Sequence, residues 1–161
     1  MALLSKSDIR PDPKEIRMKL FTIGFTKSKA SNFFGRLETS GVNRVFDTRL
    51  NRVSQLAGFA KQDDLKFFLN RIAGISYEVE VLLAPTSDIL EAYRKKEMGW
   101  DEYARRYLSL LDARKIEQRL DFAHLDGTCL LCSEATPDHC HRRLAAEYLS
   151  EAKAEIEVIH L

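Results

Sequence analysis

Apolar and polar positions alternate along this chain with two periods, and the switches between them outline an architecture. Residues 19–25 (KLFTIGF) form a short apolar run of strand formers, the pattern of a buried first strand. In residues 28–40, Phe33, Phe34 and Leu37 recur at helical spacing, and Gly41 stands where a left-handed C-cap belongs. Residues 42–47 (VNRVFD) read as a second strand, followed by a polar, irregular stretch over 48–61. Helical spacing returns with Leu65, Phe68, Leu69 and Ile72, closed by Gly74. Residues 75–81 read as a third strand interrupted by charges.

Two helices are predicted next, over 85–96 and 100–120, broken at Gly99; the second carries Tyr103, Tyr107, Leu110 and Leu111 on one face. Residues 128–132 (TCLLC) are a compact apolar strand. A helix opening at Asp138 or His139 places Leu144, Ala145, Tyr148 and Leu149 inward, and 156–160 (IEVIH) is the last strand. Repeated strand–helix–strand units predict a single α/β domain over 18–161, a largely parallel sheet of about five strands with helices on both faces. Residues 1–17, with Pro11 and Pro13 among charges, read as a flexible or loosely docked arm.

Composition narrows the function classes without choosing one. With 25 basic and 24 acidic residues among 161, the net charge of +1 gives no bulk case for a nucleic-acid coat or a membrane-surface protein. No apolar run is long enough for a membrane span, and the N-terminal stretch lacks the pattern of a secretory signal. Three cysteines make an odd count in a domain that needs no disulfide, so the cytoplasm is the expected compartment.

In parallel sheets, ligands bind beyond the carboxyl ends of the strands. The polar residues expected there are Gly24 to Ser28 after the first strand, Asp47 to Ser54 after the second, and Ser133 to Arg143 after TCLLC. Asp47 and Arg49, two apart at a strand end, point the same way. They form either an ion pair that fixes the loop, or an anion clamp (Arg49) with a proton acceptor (Asp47). Glu134 is a general acid or base, or alternatively a helix cap or a partner of Arg142. Cys140, His141 and Arg142 are expected in the first helical turn. There the macrodipole and two arginines would depress the thiol pKa, and the same turn with Arg142 would hold a phosphate or carboxylate.

A Cys140 nucleophile would need His141 or His139 as its base. Adjacent helical residues diverge by about 100°, so packing is the competing role for this sulfur. Zinc held by Cys129-x-x-Cys132 together with the following Cys140-His141 is set aside, because residues three apart on a strand face opposite sides; no metal or other cofactor is expected. The aromatics Phe33, Phe34, Phe67, Phe68, Tyr103 and Tyr107 read as core. The basic, aromatic stretch 93–106 reads as a solvated helix face, with nucleic acid as the sharper alternative.

Four blocks in this order resemble a known family: Thr22-Ile23-Gly24-Phe25; Asp47-Thr48-Arg49 with Ser54 following; Ile75-Ser76-Tyr77; and Leu131-Cys132-Ser133-Glu134 with Cys140-His141-Arg142. Over nearly its whole length the chain is similar to the proteins grouped as domain of unknown function 488. It departs from their pattern at Val53, where relatives carry proline, and at Leu83-Ala84-Pro85, where they carry Leu-Gly-Gly. The resemblance implies an α/β fold and a shared pocket, to which Gly24, Ser54, Tyr77 and Cys132 would contribute. The expectation is an enzyme acting on a phosphorylated or anionic ligand, a nucleotide or nucleic-acid component. Arg49 and Arg142 would hold the anion, Asp47 and Glu134 would do acid–base work, and Cys140 and His141 would assist. The alternative is a binding module for nucleic acid or nucleotide without turnover, using Lys27, Arg52 and the 94–106 helix.

Overall fold

The computed structural model describes residues 17–53 and 57–161; the arm through residue 16 and the expected ligand contact Ser54 lie outside the described residues. One sheet organises the chain. Its strands are β1 (Met18–Gly24), β2 (Arg44–Asp47), β3 (Ser76–Val79), β4 (Thr128–Cys132) and β5 (Ile156–His160), in the spatial order β3-β2-β4-β1-β5. All four pairings are parallel. The helices are α1 (Ala30–Ser40), α2 (Gln62–Ala73), α3 (Ser87–Arg94), α4 (Trp100–Ala113), the short α5 (Ile116–Arg119) and α6 (His141–Ala152).

Alternation along the strands divides the interior into two cores. Phe21, Ile23, Val45, Cys129 and Leu131 face α1 and α2, where they meet Phe33, Phe34, Leu37, Leu65 and Leu69. Leu20, Phe46 and Leu130 face the other way, onto Tyr103, Tyr107, Leu111, Leu144 and Leu149. Every residue of β4 is buried, as a strand covered by helices on both faces requires. Truncating a fully buried leucine here, Leu65 or Leu130, would cost about 2–5 kcal/mol.

Helix ends follow local chemistry. Gly74, at φ 64°, ends α2: its N–H reaches the Asn70 carbonyl and the next N–H, of Ile75, reaches Leu69. The helix expected over 100–120 is two. Lys115 adopts a left-handed φ of 54°, which stops α4 and sets α5 at a new angle. A second correction concerns Phe67, which is 59% exposed. Leu65 and Leu69 sit one turn apart and face inward, so Phe67, two residues from each, is carried to the outer side.

The strand order matters most for the site. The chain runs outward from β1 through β2 to β3, then returns to insert β4 between β2 and β1. Gly24 therefore stands opposite Cys132 at the carboxyl edge, with Asp47 opposite Leu131 on the other flank.

Candidate functional site

Beyond the carboxyl ends of β2 and β4 lies a cavity of about 330 Å³. Its floor is Cys132, Ser133 and Glu134 from the end of β4 with Cys140 and His141 from the start of α6. Arg49, Leu50 and Asn51 after β2 form one wall, and the α3–α4 crossover, from Leu90 to Tyr103, forms the other. Of the residues expected from sequence, Arg49, Cys132, Glu134, Cys140 and His141 line this cavity. Asp47, Tyr77, Gly24 and Arg142 do not.

Asp47 is fully buried and its oxygens are committed. Oδ1 accepts from the Arg49 backbone N–H (3.1 Å) and Nε (2.9 Å), and Oδ2 accepts from Arg49 Nη2 (2.7 Å) and the Tyr77 hydroxyl (2.5 Å). Burial alone would lower the Arg49 pKa, but the fork to Asp47 more than offsets it and holds the guanidinium charged. Tyr77 is pushed up, first by burial and then by its bond to the carboxylate. This closed knot joins β2 to β3, and the Tyr77 hydroxyl is spent in it.

Gly24 serves a close approach. A Cβ there would land inside the Glu134 carbonyl oxygen and 2.8 Å from Arg142 Nη1. Thr26 adds two bonds to the Ser133 carbonyl, strapping the exit of β1 to the loop after β4. Arg142 is fully buried, with Nη1 donating to the Glu134 carbonyl at 2.6 Å and lying 3.5 Å from the Cys140 sulfur. Its Nε and Nη2 have no hydrogen-bond partner among the described residues. Arg142 thus braces the Cys132–Cys140 loop from beneath.

The start of α6 differs from expectation. The helix opens at His141, and Cys140 is its N-cap with extended φ −135° and ψ 135°. The turn through Asp138 and His139 comes first, and the Cys140 carbonyl accepts the first helical bond, from Arg143. Instead of a depressed pKa, the Cys140 thiol is pushed up by burial and by its neighbour Cys132. Cys132 moves the other way: a hydrogen bond from Cys140, opposed by burial and aided by His141, lowers its pKa well below the ordinary thiol value.

His141 is held by Thr48, the member of the Asp47-Thr48-Arg49 block to which the sequence assigns no role. Thr48 Oγ1 donates to the Leu131 carbonyl (2.8 Å), so its proton is spent. The ring Nε2 lies 2.9 Å from the Thr48 carbonyl and 3.1 Å from that hydroxyl oxygen, both acceptors, so Nε2 carries the hydrogen. Nδ1 is thereby turned onto Cys132 Sγ, 3.5 Å away, and presents its lone pair there when the ring is neutral. Burial would depress the His141 pKa, but Cys132 more than reverses this and raises it.

Cys129, in contrast, faces the α1–α2 core and takes no part, in keeping with the alternation expected for Cys129-x-x-Cys132. The soft donors that do meet are Cys132, Cys140 and His141, whose ligand atoms all lie within 4.8 Å of one another. The pairing runs across the β4–α6 loop and joins Cys132, without Cys129, to Cys140 and His141.

The crossover wall, expected as a solvated helix face or a nucleic-acid contact, belongs to this cavity. Tyr93, Arg94, Lys96, Met98 and Tyr103 reach the cavity. Behind them Trp100 packs on Tyr103 at 5.4 Å and on His139 at 5.0 Å between ring centroids. The basic–aromatic stretch 93–106 was the available signal. Its later arginines, Arg105 and Arg106, are paired with Glu102.

With this geometry in place, comparison with known proteins adds one finding. The family described as domain of unknown function DUF488 matches residues 29–149. The chain belongs to the DUF488 family. Neither the curated proteins nor the solved structures returned a match to it. The DUF488 match spans β2, β3 and β4 and most of α6, and so covers every residue lining the cavity. Among the described residues no helix is long and apolar enough to cross a membrane.

Proposed function

We propose that this DUF488 protein binds a phosphorylated or otherwise anionic small molecule with a planar ring, a nucleotide or nucleic-acid component, in the cavity over β2 and β4. The observation that carries this reading is the lining: Arg94 and Lys96, with Arg49 neutralised by Asp47 beside them, stand against one carboxylate, Glu134, next to the rings of Tyr93 and Tyr103. Charge of one sign in a low-dielectric cleft favours an anion, and aromatic walls favour a flat apolar ring. The ion-pair fork engages Nε and Nη2 of Arg49, leaving Nη1 outside it. Glu134, exposed where the cavity floor leaves β4, offers a carboxylate for proton transfer on a bound ligand.

A nucleic-acid coat is less favoured. Arg105 and Arg106 share Glu102, and Arg52 is turned inward onto Gln62 and the Arg49 carbonyl. The test is calorimetric titration with nucleoside monophosphates, sugar phosphates, inorganic phosphate and short oligonucleotides at two salt concentrations. A nucleotide should bind with modest salt dependence, and Arg94→Ala with Lys96→Ala should weaken it about 10- to 100-fold, as expected for loss of charged hydrogen bonds of about 1.5–3 kcal/mol. Binding indifferent to these two changes, or an oligonucleotide affinity that collapses with salt, would sink the small-ligand reading.

A further inference from the structure

The floor of the cavity carries a second capability that does not depend on any anion above it. We propose that Cys132 Sγ, Cys140 Sγ and His141 Nδ1 form a three-ligand site for a thiophilic divalent metal, zinc above all, with its fourth position opening into the cavity.

Three observations converge on this site. First, the donor set and its compactness fit. A tetrahedral zinc with bonds of about 2.3 Å to sulfur and about 2.0 Å to nitrogen separates its ligand atoms by about 3.5–3.8 Å. Cys132 Sγ and His141 Nδ1 are already 3.5 Å apart, and the widest separation in the trio is no more than 4.8 Å. Closing it takes a shift of about 1 Å, within reach of cysteine rotamers at a loop end and a helix cap.

Second, the imidazole is set in the tautomer that ligation needs. Thr48 offers Nε2 two acceptors, and its hydroxyl proton is spent on Leu131, so the free lone pair is on Nδ1 and faces the sulfurs. Ligating histidines characteristically donate their other N–H to a backbone carbonyl in this way. The same contact ties the exit of β2 to the start of α6, which holds the ring in place before any metal arrives.

Third, a buried positive charge stands beside the trio. Arg142, fully buried and without a carboxylate partner among the described residues, lies 3.5 Å from the Cys140 sulfur. Among the described residues, two of its nitrogens have no hydrogen-bond partner. A buried guanidinium here would offset part of the negative charge that two metal-bound thiolates bring, while in the metal-free protein burial and Cys132 push the Cys140 thiol up. Two loop residues past Cys132, Glu134 lines the same cavity. It stands apart from the trio, as a proton carrier would for water held at the open position.

Metal binding exchanges thiol protons for the cation and needs no oxidant. The competing use of the same atoms is a Cys132–His141 nucleophile pair, and the experiment separates the two. Purified, reduced protein is titrated anaerobically with cobalt(II), followed by zinc competition and metal analysis. We expect one cobalt per chain, tetrahedral ligand-field bands with sulfur-to-cobalt charge transfer, displacement by zinc, and zinc protection of Cys132 and Cys140 from iodoacetamide. Cys132→Ser and Cys140→Ser should each lose most of the charge-transfer intensity, and Cys129→Ala should keep it. Absence of charge transfer with all thiols shown to be reduced would overturn the proposal. So would bands that survive the Cys132→Ser, Cys140→Ser double variant. Rapid alkylation of Cys132 in the presence of stoichiometric zinc would also overturn it, in favour of the nucleophile.

Discussion

Two polar clusters stand side by side at the carboxyl edge of this sheet, and they differ in what they leave unspent. At the end of β2, Asp47 accepts four hydrogen bonds from Arg49 and Tyr77, and the knot is closed on itself. At the end of β4, two sulfurs and an imidazole lone pair face one another and the cavity, with a buried arginine short of partners beneath them. Both clusters look alike as strings of ionisable residues. The first is built as structure, and the second keeps donor atoms available for a ligand.

The largest expected effect breaks the knot. Asp47→Ala should cost about 3–5 kcal/mol, because it strands the Arg49 guanidinium in a site where that side chain is 3% exposed. Urea denaturation measures it; a loss below about 1 kcal/mol would mean that the pair is not structural. Gly24→Ala comes next, at about 1–3 kcal/mol, since the new Cβ must push the Glu134 carbonyl away. Unlike Asp47→Ala, it should also disturb ligand and metal uptake at the β4 end, because the Glu134 loop moves.

Tyr77→Phe removes one bond to a charged acceptor and should cost about 1.5–3 kcal/mol. It carries a pH signature as well. The Tyr77 pKa is raised in the folded protein, so its contribution is fully present below the unfolded tyrosine value of about 10 and is lost as pH climbs above it. Tyr103 and Tyr107 are raised too, so alkaline denaturation should be milder in Tyr77→Phe without disappearing. Smallest is Cys140→Ser, about 1 kcal/mol in thermal or urea unfolding of the metal-free protein. A cost matching that of Asp47→Ala would erase the distinction between the clusters.

What sequence could and could not reveal follows the same division. Elements set by local chemistry were legible: the apolar runs of β1, β4 and β5, the glycine ends of α1 and α2, and the Asp47–Arg49 pair, since residues two apart on a strand share a face. The site's second wall was not, because Tyr93, Arg94 and Lys96 belong to a crossover whose position depends on β4 returning between β2 and β1. Strand order is a long-range property that no local pattern encodes. Cys140 was misread for a subtler reason. The turn at Asp138 and His139 delays the helix by two to three residues, which makes Cys140 a cap in extended conformation and lets its sulfur meet Cys132. The tautomer of His141 rests on Thr48, 93 residues away in the chain.

The most direct test of the account is to map a ligand onto the two clusters. Backbone amide shifts recorded while a nucleoside monophosphate is titrated into the labelled protein would do so. The account predicts saturable changes along residues 90–103 and 132–141, with the β3 amides around Tyr77 nearly still. Saturable changes centred on Tyr77 and the body of β2, with the cavity walls silent, would contradict it.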